Sequence, residues 1–544
     1  MKQYGEPVFG TVAEEFPVVT TTHGKVMGAT KDGVAIFRGI PYGGDCDGER
    51  RFLPPQPAQD WEGVKDCRKN GPYAAQLGTS IGASMPLGPY FSGGEPERFG
   101  VLEEEQSENC LVLNVLTPEL PGRTLLERTA GSERTTVPRK PVLVYLHGGG
   151  FATNSGSMAI GADRWVREED FVVVSVNHRL GIFGFLYLGA FDKTYAESGM
   201  AGMLDLVLAL EWVRDNITAF GGDPGNVTIM GESGGGMKVS TLLAMKKAKG
   251  LFHKAIVESG SSVVGRLSKV EATEKTLELI EKLRLSREEP GQELVKRLVG
   301  LPAEELIRVS IDAGLMGFSP VADEINLSYN PRETHEALPL AEGIPLLVGS
   351  SEDELAVFCA EAVQDITWDN IQKRLQEGMD GMMQVAPMSP EQAKRALQIF
   401  RAEDKKNDSA EHLYLKIQSF RHMLGGGAYY QAEAHAKLKH TYVYHYMVAY
   451  DMPHPSLEGK RYAWHTADLP LQMRIVLHKE CEWLSKKMAQ AWAAFIRTGN
   501  PSTKELRWEA FDLESKQIMI FDEQCRIETD PYQNLRECLK KEKL

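Results

Sequence analysis

Val227-Thr228-Ile229-Met230-Gly231-Glu232-Ser233-Gly234-Gly235-Gly236 passes from an apolar, β-branched run into glycines, and a helix-like segment over 237–246 follows. G-x-S-x-G between a strand and a helix describes a sharp turn that pushes a serine hydroxyl out of the sheet. Gly231 and Gly235 supply positions without a Cβ on either side of that crowded turn. Among 52 glycines such a pattern arises by chance. It is the strand before it and the helix after it that mark Ser233 as a nucleophile rather than a structural turn.

Outward from this stretch the chain reads as alternating strands and helices. Residues 141–146 and 171–176 are near-continuous apolar runs, as in strands covered on both faces. Apolar residues over 203–220 recur at helical spacing until Gly221-Gly222-Asp223-Pro224 stops them. Residues 255–257, 344–348 and 441–446 read as further buried strands. Leu484, Met488, Trp492 and Phe495 line a helix ending at Gly499. With no linker between these elements, one α/β domain over 1–544 is expected, built on a large, mostly parallel sheet flanked by helices. Residues 18–42 read as short strands of a small N-terminal sheet. The Gly-, Pro- and Tyr-rich stretch 71–100 is expected to be a functional surface loop. The polar second half of 117–139 reads as an exposed insertion.

The 544 residues carry a net charge of -14, dispersed without a long run, which argues against a nucleic-acid partner. Residues 1–28 hold no charged-then-apolar leader, and no apolar stretch is long enough to cross a bilayer. The seven cysteines (46, 67, 110, 359, 481, 525 and 538) form no C-x-x-C pair. They fit reduced thiols in a cytoplasmic protein and no zinc site, so neither a metal nor a membrane partner is expected.

A serine hydroxyl needs a base to take its proton and an acid to orient that base. The acid belongs after a strand, where Gly349-Ser350-Ser351-Glu352-Asp353-Glu354 follows 344–348. The residues alone leave Glu352, Asp353 and Glu354 as alternatives, the two not used being solvated loop charges. Of eight downstream histidines, His465 lies in a loop between a strand and a helix. An ordinary imidazole there would titrate at roughly 6 to 7. His147-Gly148-Gly149-Gly150-Phe151 follows the strand 141–146, where a glycine loop offers N–H groups to an oxyanion, with the N–H of Gly234 as a further donor.

Residues 147–151, Asn177-His178-Arg179-Leu180-Gly181, the run 216–235 and Arg497-Thr498-Gly499-Asn500-Pro501 resemble the type-B carboxylesterases, the group that includes cholinesterases. Arg38-Gly39-Ile40-Pro41-Tyr42 and Ser107-Glu108-Asn109-Cys110-Leu111 extend the resemblance to about 18–508. It implies an α/β-hydrolase fold and a cofactor-free serine esterase acting on small-molecule esters through an acyl-enzyme on Ser233. By the same resemblance the acid is Glu354, the base His465 (opening an H-x-x-D motif that ends at Asp468), and the oxyanion donors Gly149, Gly150 and Gly234. Glu232 would line the cavity and Ser259 would support the acid. The alternative is a biosynthetic acyltransferase or cyclase that passes the same acyl group to an acceptor other than water.

The departures also carry expectations. Gly234 stands where the family often has alanine, which keeps the N–H but loosens the turn. Ala74 replaces the usual partner of Cys110, leaving open whether Cys67 takes its place. No tryptophan occupies the next loop to stack a quaternary ammonium, which argues against choline esters and leaves Tyr90 or Phe91 as ligand contacts. A homodimer packed through 480–498 and 532–543 stays open, and the natural substrate is not legible.

Overall fold

The valine- and isoleucine-rich runs form the sheet that carries the site. In the computed structural model the described residues are 16–77, 105–118, 120, 138–261, 267–312, 317–327, 339–359, 361–381, 383–403, 406, 408–454, 458–476 and 478–539. Tyr90, Phe91 and most of the 71–100 and 117–139 loops lie outside them. Among the described residues eleven strands make one sheet: β1 (Ala29–Lys31), β2 (Val34–Pro41), β3 (Val112–Thr117), β4 (Lys140–Leu146), β5 (Val172–Val176), β6 (Gly222–Glu232), β7 (Lys254–Glu258), β8 (Leu346–Ser351), β9 (Val443–Val448), β10 (Gln517–Phe521) and β11 (Arg526–Thr529). Their order is β11-β10-β9-β8-β7-β6-β4-β5-β3-β2-β1. Neighbours from β5 to β10 are parallel. The outer strands are antiparallel.

Side chains alternate between two cores, as a strand's period of two requires. On β4, Val142, Val144 and Leu146 join a core with Leu206, Leu210 and Val213 of α1 (Ala201–Asn216). Leu143 and Tyr145 face the opposite core. There they join Trp492 and Phe495 of the helix Glu482–Thr498. The expected small N-terminal sheet exists, but it is Val18–Thr20, Lys25–Met27 and Val64–Asp66. Residues 29–41 extend the edge of the large sheet instead. Val34 to Phe37 are buried without alternation, and a strand so apolar gains most by pairing where both faces are covered.

β4 has β5 on one side and β6 on the other, so the chain reverses direction of winding at β4. Loops leaving the carboxyl ends of β4 and β6 therefore adjoin, which is where open α/β sheets place their sites. All seven cysteines are free, and Cys67 does not pair with Cys110. No helix among the described residues is long and apolar enough to cross a membrane.

Candidate active site

Ser233 stands between β6 and α2 (Gly234–Leu242) with φ 55 and ψ -123. A non-glycine residue there costs on the order of 1–3 kcal/mol and persists only when its surroundings over-determine it. Here they do. The Ser233 N–H donates to the carbonyl of Glu258, at the end of β7, at 2.8 Å. A Cβ on Gly235 would overlap the carbonyl oxygen of Leu146, and one on Gly234 would overlap the backbone of Gly150. The turn is thus pressed backbone to backbone against the glycine loop. Gly234 lies hard against Gly150 with no room for a methyl, which is a different reason for glycine there than the loosened turn expected from the sequence. Gly149 and Gly150 have φ of 83 and 63. Among the described residues the N–H groups of Gly149, Gly150 and Gly234 donate no hydrogen bond.

Glu354 is fully buried, three residues beyond β8. It accepts from Ser259 Oγ at 2.6 Å, from the Ser351 N–H at 2.7 Å and from His465 Nδ1. The other ring nitrogen, Nε2, lies 3.2 Å from Glu232 Oε1 and, among the described residues, makes no hydrogen bond to Ser233. Glu232 also accepts from Thr466 Oγ1 at 2.9 Å, a contact with no sign in the sequence. Burial pushes Glu232 up to about 8, with Asp468 and Glu354 adding to it and His465 opposing. Burial opposes charge on His465, but Glu232 and Glu354 outweigh it and raise the imidazole to about 9. Buried carboxylates on both sides of the ring thus lift it above the 6 to 7 of an ordinary imidazole.

Glu352 and Asp353 are not solvated loop charges. Asp353 is fully buried: Oδ2 is 2.9 Å from His412 Nε2 and accepts from the Ala463 N–H at 3.0 Å. The Asp353 N–H donates to the Ala463 carbonyl at 2.9 Å. Asp353 therefore ties the loop of Glu354 to the loop of His465. Burial works against its charge, but His412 and Lys416 hold its carboxyl below the ordinary value. Glu352 lies 3.0 Å from Lys416 Nζ. Asp353, His412 and Asp451 bring ligand atoms within 4.8 Å of one another. Lys406, 3.1 Å from Asp451, already matches that third member, so we read the group as an ion-pair network. A cavity of about 470 Å³ opens beside it, lined by Glu352, Lys416, Asp522, Arg526 and Tyr532 among others, and by none of Ser233, Glu354 or His465.

Serine, acid and histidine follow β6, β8 and β9 in that chain order, the arrangement of the α/β-hydrolases. The chain belongs to the carboxylesterase family, whose model matches residues 15–538. It is 32% identical over 543 residues to the para-nitrobenzyl esterase of Bacillus subtilis (strain 168), covering 96% of this chain and 98% of that protein. It is 29% identical over 539 residues to the acylcarnitine hydrolase of Mus musculus, covering 93% and 88%. A solved PNB esterase superposes with a TM-score of 0.74 at 30% identity, covering 96% of this chain and 99% of the other. A carboxylesterase of Geobacillus stearothermophilus gives 0.75 at 30% identity over the same shares. The protein is a hydrolase of carboxylic esters, of a family that acts on small-molecule esters.

Proposed function

We propose that Ser233 attacks the ester carbonyl while His465 Nε2 takes its proton and Glu354 holds the imidazole through Nδ1. The N–H groups of Gly149, Gly150 and Gly234 receive the oxyanion, each donor contributing about 3 kcal/mol in the transition state. The proton then passes to the leaving alkoxide, the alcohol departs, and water attacks the acyl-enzyme with His465 again as base. Glu232 lines the site, and its contact with Nε2 must open before that nitrogen can accept from Ser233. Ser259 supports the acid. The observation that carries this reading is the strained backbone of Ser233 beside a buried His465–Glu354 pair.

The acyltransferase or cyclase alternative gains nothing from the relatives, whose names are esterases and hydrolases. A single domain is supported by β1 and β11, near opposite ends of the chain, joining one sheet. A cytoplasmic setting is supported by the seven free thiols. Ser233→Ala should abolish turnover of a simple aryl ester with the fold retained, and mass spectrometry after an organophosphate should place the adduct on Ser233. An adduct elsewhere, or full activity in the variant, overturns the assignment.

A further inference from the structure

Lys238 lies on the second turn of α2 and is wholly buried. A buried lysine is ordinarily matched by a carboxylate. Among the described residues Lys238 has no ion pair, and its one hydrogen bond runs from Nζ to the carbonyl of His147 at 2.8 Å. Nζ also lies 5.9 Å from the centroid of the Phe151 ring. His147 and Phe151 are the two ends of the glycine loop, so this amine bonds to one end and stands over the ring at the other.

The groups around it are arranged to leave that bond alone. The His147 and His178 rings stack with centroids 5.1 Å apart. Their Nδ1 atoms meet the carbonyls of Gly148 at 2.9 Å and Arg179 at 2.8 Å. Burial, with the neighbouring lysine, pushes both imidazoles well below their ordinary value, so they stay neutral. Arg179 is matched by both carboxylate oxygens of Asp205. Glu232 stands on the Gly148 side of the loop. Burial also draws Lys238 down to about 7. Ammonium and neutral amine both keep an N–H for the His147 carbonyl, so the bond survives the loss of the charge. A donor on a long stem is what the place requires, and a methionine of similar length would lack it.

We propose that Lys238 is a positioning residue for ester hydrolysis, its amine pinning the His147 carbonyl to α2 and so fixing where the N–H groups of Gly149 and Gly150 point. This rests on their assignment as oxyanion donors. The loop and α2 carry different donors, Gly149 and Gly150 on one and Gly234 on the other, and the Lys238 bond to His147 ties the two together. A clamp of this kind acts on the transition state, where charge reaches the loop, more than on the bound ester.

Lys238→Met keeps the stem and removes the donor. For an activated aryl ester kcat should fall by about tenfold or more with KM within about twofold. A trifluoromethyl ketone, which forms an oxyanion on Ser233, should lose affinity by the same factor as kcat/KM, while a ketone-free competitive inhibitor keeps its own. Lys238→Gln, whose amide still offers an N–H one bond short, should fall between the two, and it carries the test if the methionine variant does not fold. Wild-type kcat in either variant overturns the proposal, as does a loss of kcat without a matching loss of ketone affinity. Stoichiometric organophosphate labelling of Ser233 in the same variants separates the outcomes. Labelling with unchanged kinetics removes Lys238 alone, whereas absent labelling in the wild type removes the assignment of the nucleophile.

Discussion

Glu232→Gln removes one of the two carboxylates that face His465, and it should redraw the pH profile rather than merely lower it. Glu232 Oε1 is 3.2 Å from Nε2, and both side chains are buried. At an effective dielectric of about 20 the attraction of full charges at that distance is about 5 kcal/mol. The net lift of the imidazole, from 6.5 to about 9, corresponds to about 3 kcal/mol after burial has been overcome, and Glu354 supplies part of it. Losing Glu232 should therefore bring the base down by roughly one to two pH units. The sign follows directly. A raised imidazole is protonated at neutral pH and idle as a base, so wild-type kcat/KM should climb with pH toward 9. Glu232 is itself pushed up to about 8, so at pH 7 it is mostly uncharged, and its lift of the imidazole fades there. The variant should thus be slower above pH 9, where its missing carboxylate no longer supports the imidazolium, and should close much of the gap at pH 7. The assay is kcat/KM on one activated aryl ester from pH 5.5 to 10, corrected for spontaneous hydrolysis. An acid limb that stays in place, or a rate ratio that does not change with pH, refutes the electrostatic account of His465.

Gly234→Ala should lower kcat by about 10²-fold or more with KM little changed, because its methyl overlaps the Gly150 backbone and displaces the oxyanion loop; kcat within a few-fold of wild type would show that the loop yields freely. Glu354→Gln should cost about 10⁴-fold in kcat/KM by favouring the wrong tautomer, while Glu352→Gln stays within a few-fold on the same ester; the reverse ranking would place the acid elsewhere. Asp353→Asn should destabilise the protein by about 1–3 kcal/mol in urea unfolding, since it removes the carboxylate at His412 Nε2 and leaves only Asp408 at Nδ1. Burial opposes charge on His412 but Asp353 raises it to about 9, so its contribution is full below 6.5 and fades as pH rises through 9; unfolding midpoints that do not respond to pH over that range would contradict the pair.

What could be read in advance was whatever the chain encodes locally. The turn at Ser233 is written in ten consecutive residues, and the central strands in near-continuous apolar runs such as Val172–Val176. The strand β2 was harder, because about seventy residues of chain separate it from its partner β3. The same limit governs the acid. Glu352, Asp353 and Glu354 are equivalent as local sequence, and the family likeness was needed to prefer Glu354. What separates them is the partner each one meets: Lys416 for Glu352, His412 for Asp353, and Ser259 with His465 for Glu354. His412 is 59 positions from Asp353, and its local pattern with Asp408, four residues before it, gives no sign of that distant partner. Gly234 shows the opposite failure. Its residue type was visible, but the reason for it, the Gly150 backbone lying against it, belongs to tertiary contact.

The carboxylates around His465 do not all count toward catalysis merely by being there. In the proposed mechanism Glu354 and Glu232 favour the imidazolium that would form when Ser233 gives up its proton, but they favour it equally in the resting protein, where it blocks the base. An interaction present in both states cancels from the barrier, and only its excess in the transition state speeds the reaction. Below the lifted pKa the resting imidazole is already protonated, so the help from Glu232 is uniform and contributes nothing to the rate. Above it the resting base is neutral, the same contact exists only once the proton has moved, and its whole strength becomes differential. The orienting role of Glu354 escapes the dilemma, because it acts at Nδ1, away from the transferred proton, although its charge raises the imidazole just as Glu232 does. The Gly149, Gly150 and Gly234 donors escape it too, having no partner among the described residues until an oxyanion forms. On the proposed mechanism the base side therefore responds to pH through Glu232 and His465, whereas the oxyanion side does not. The Glu232→Gln profile separates those two halves.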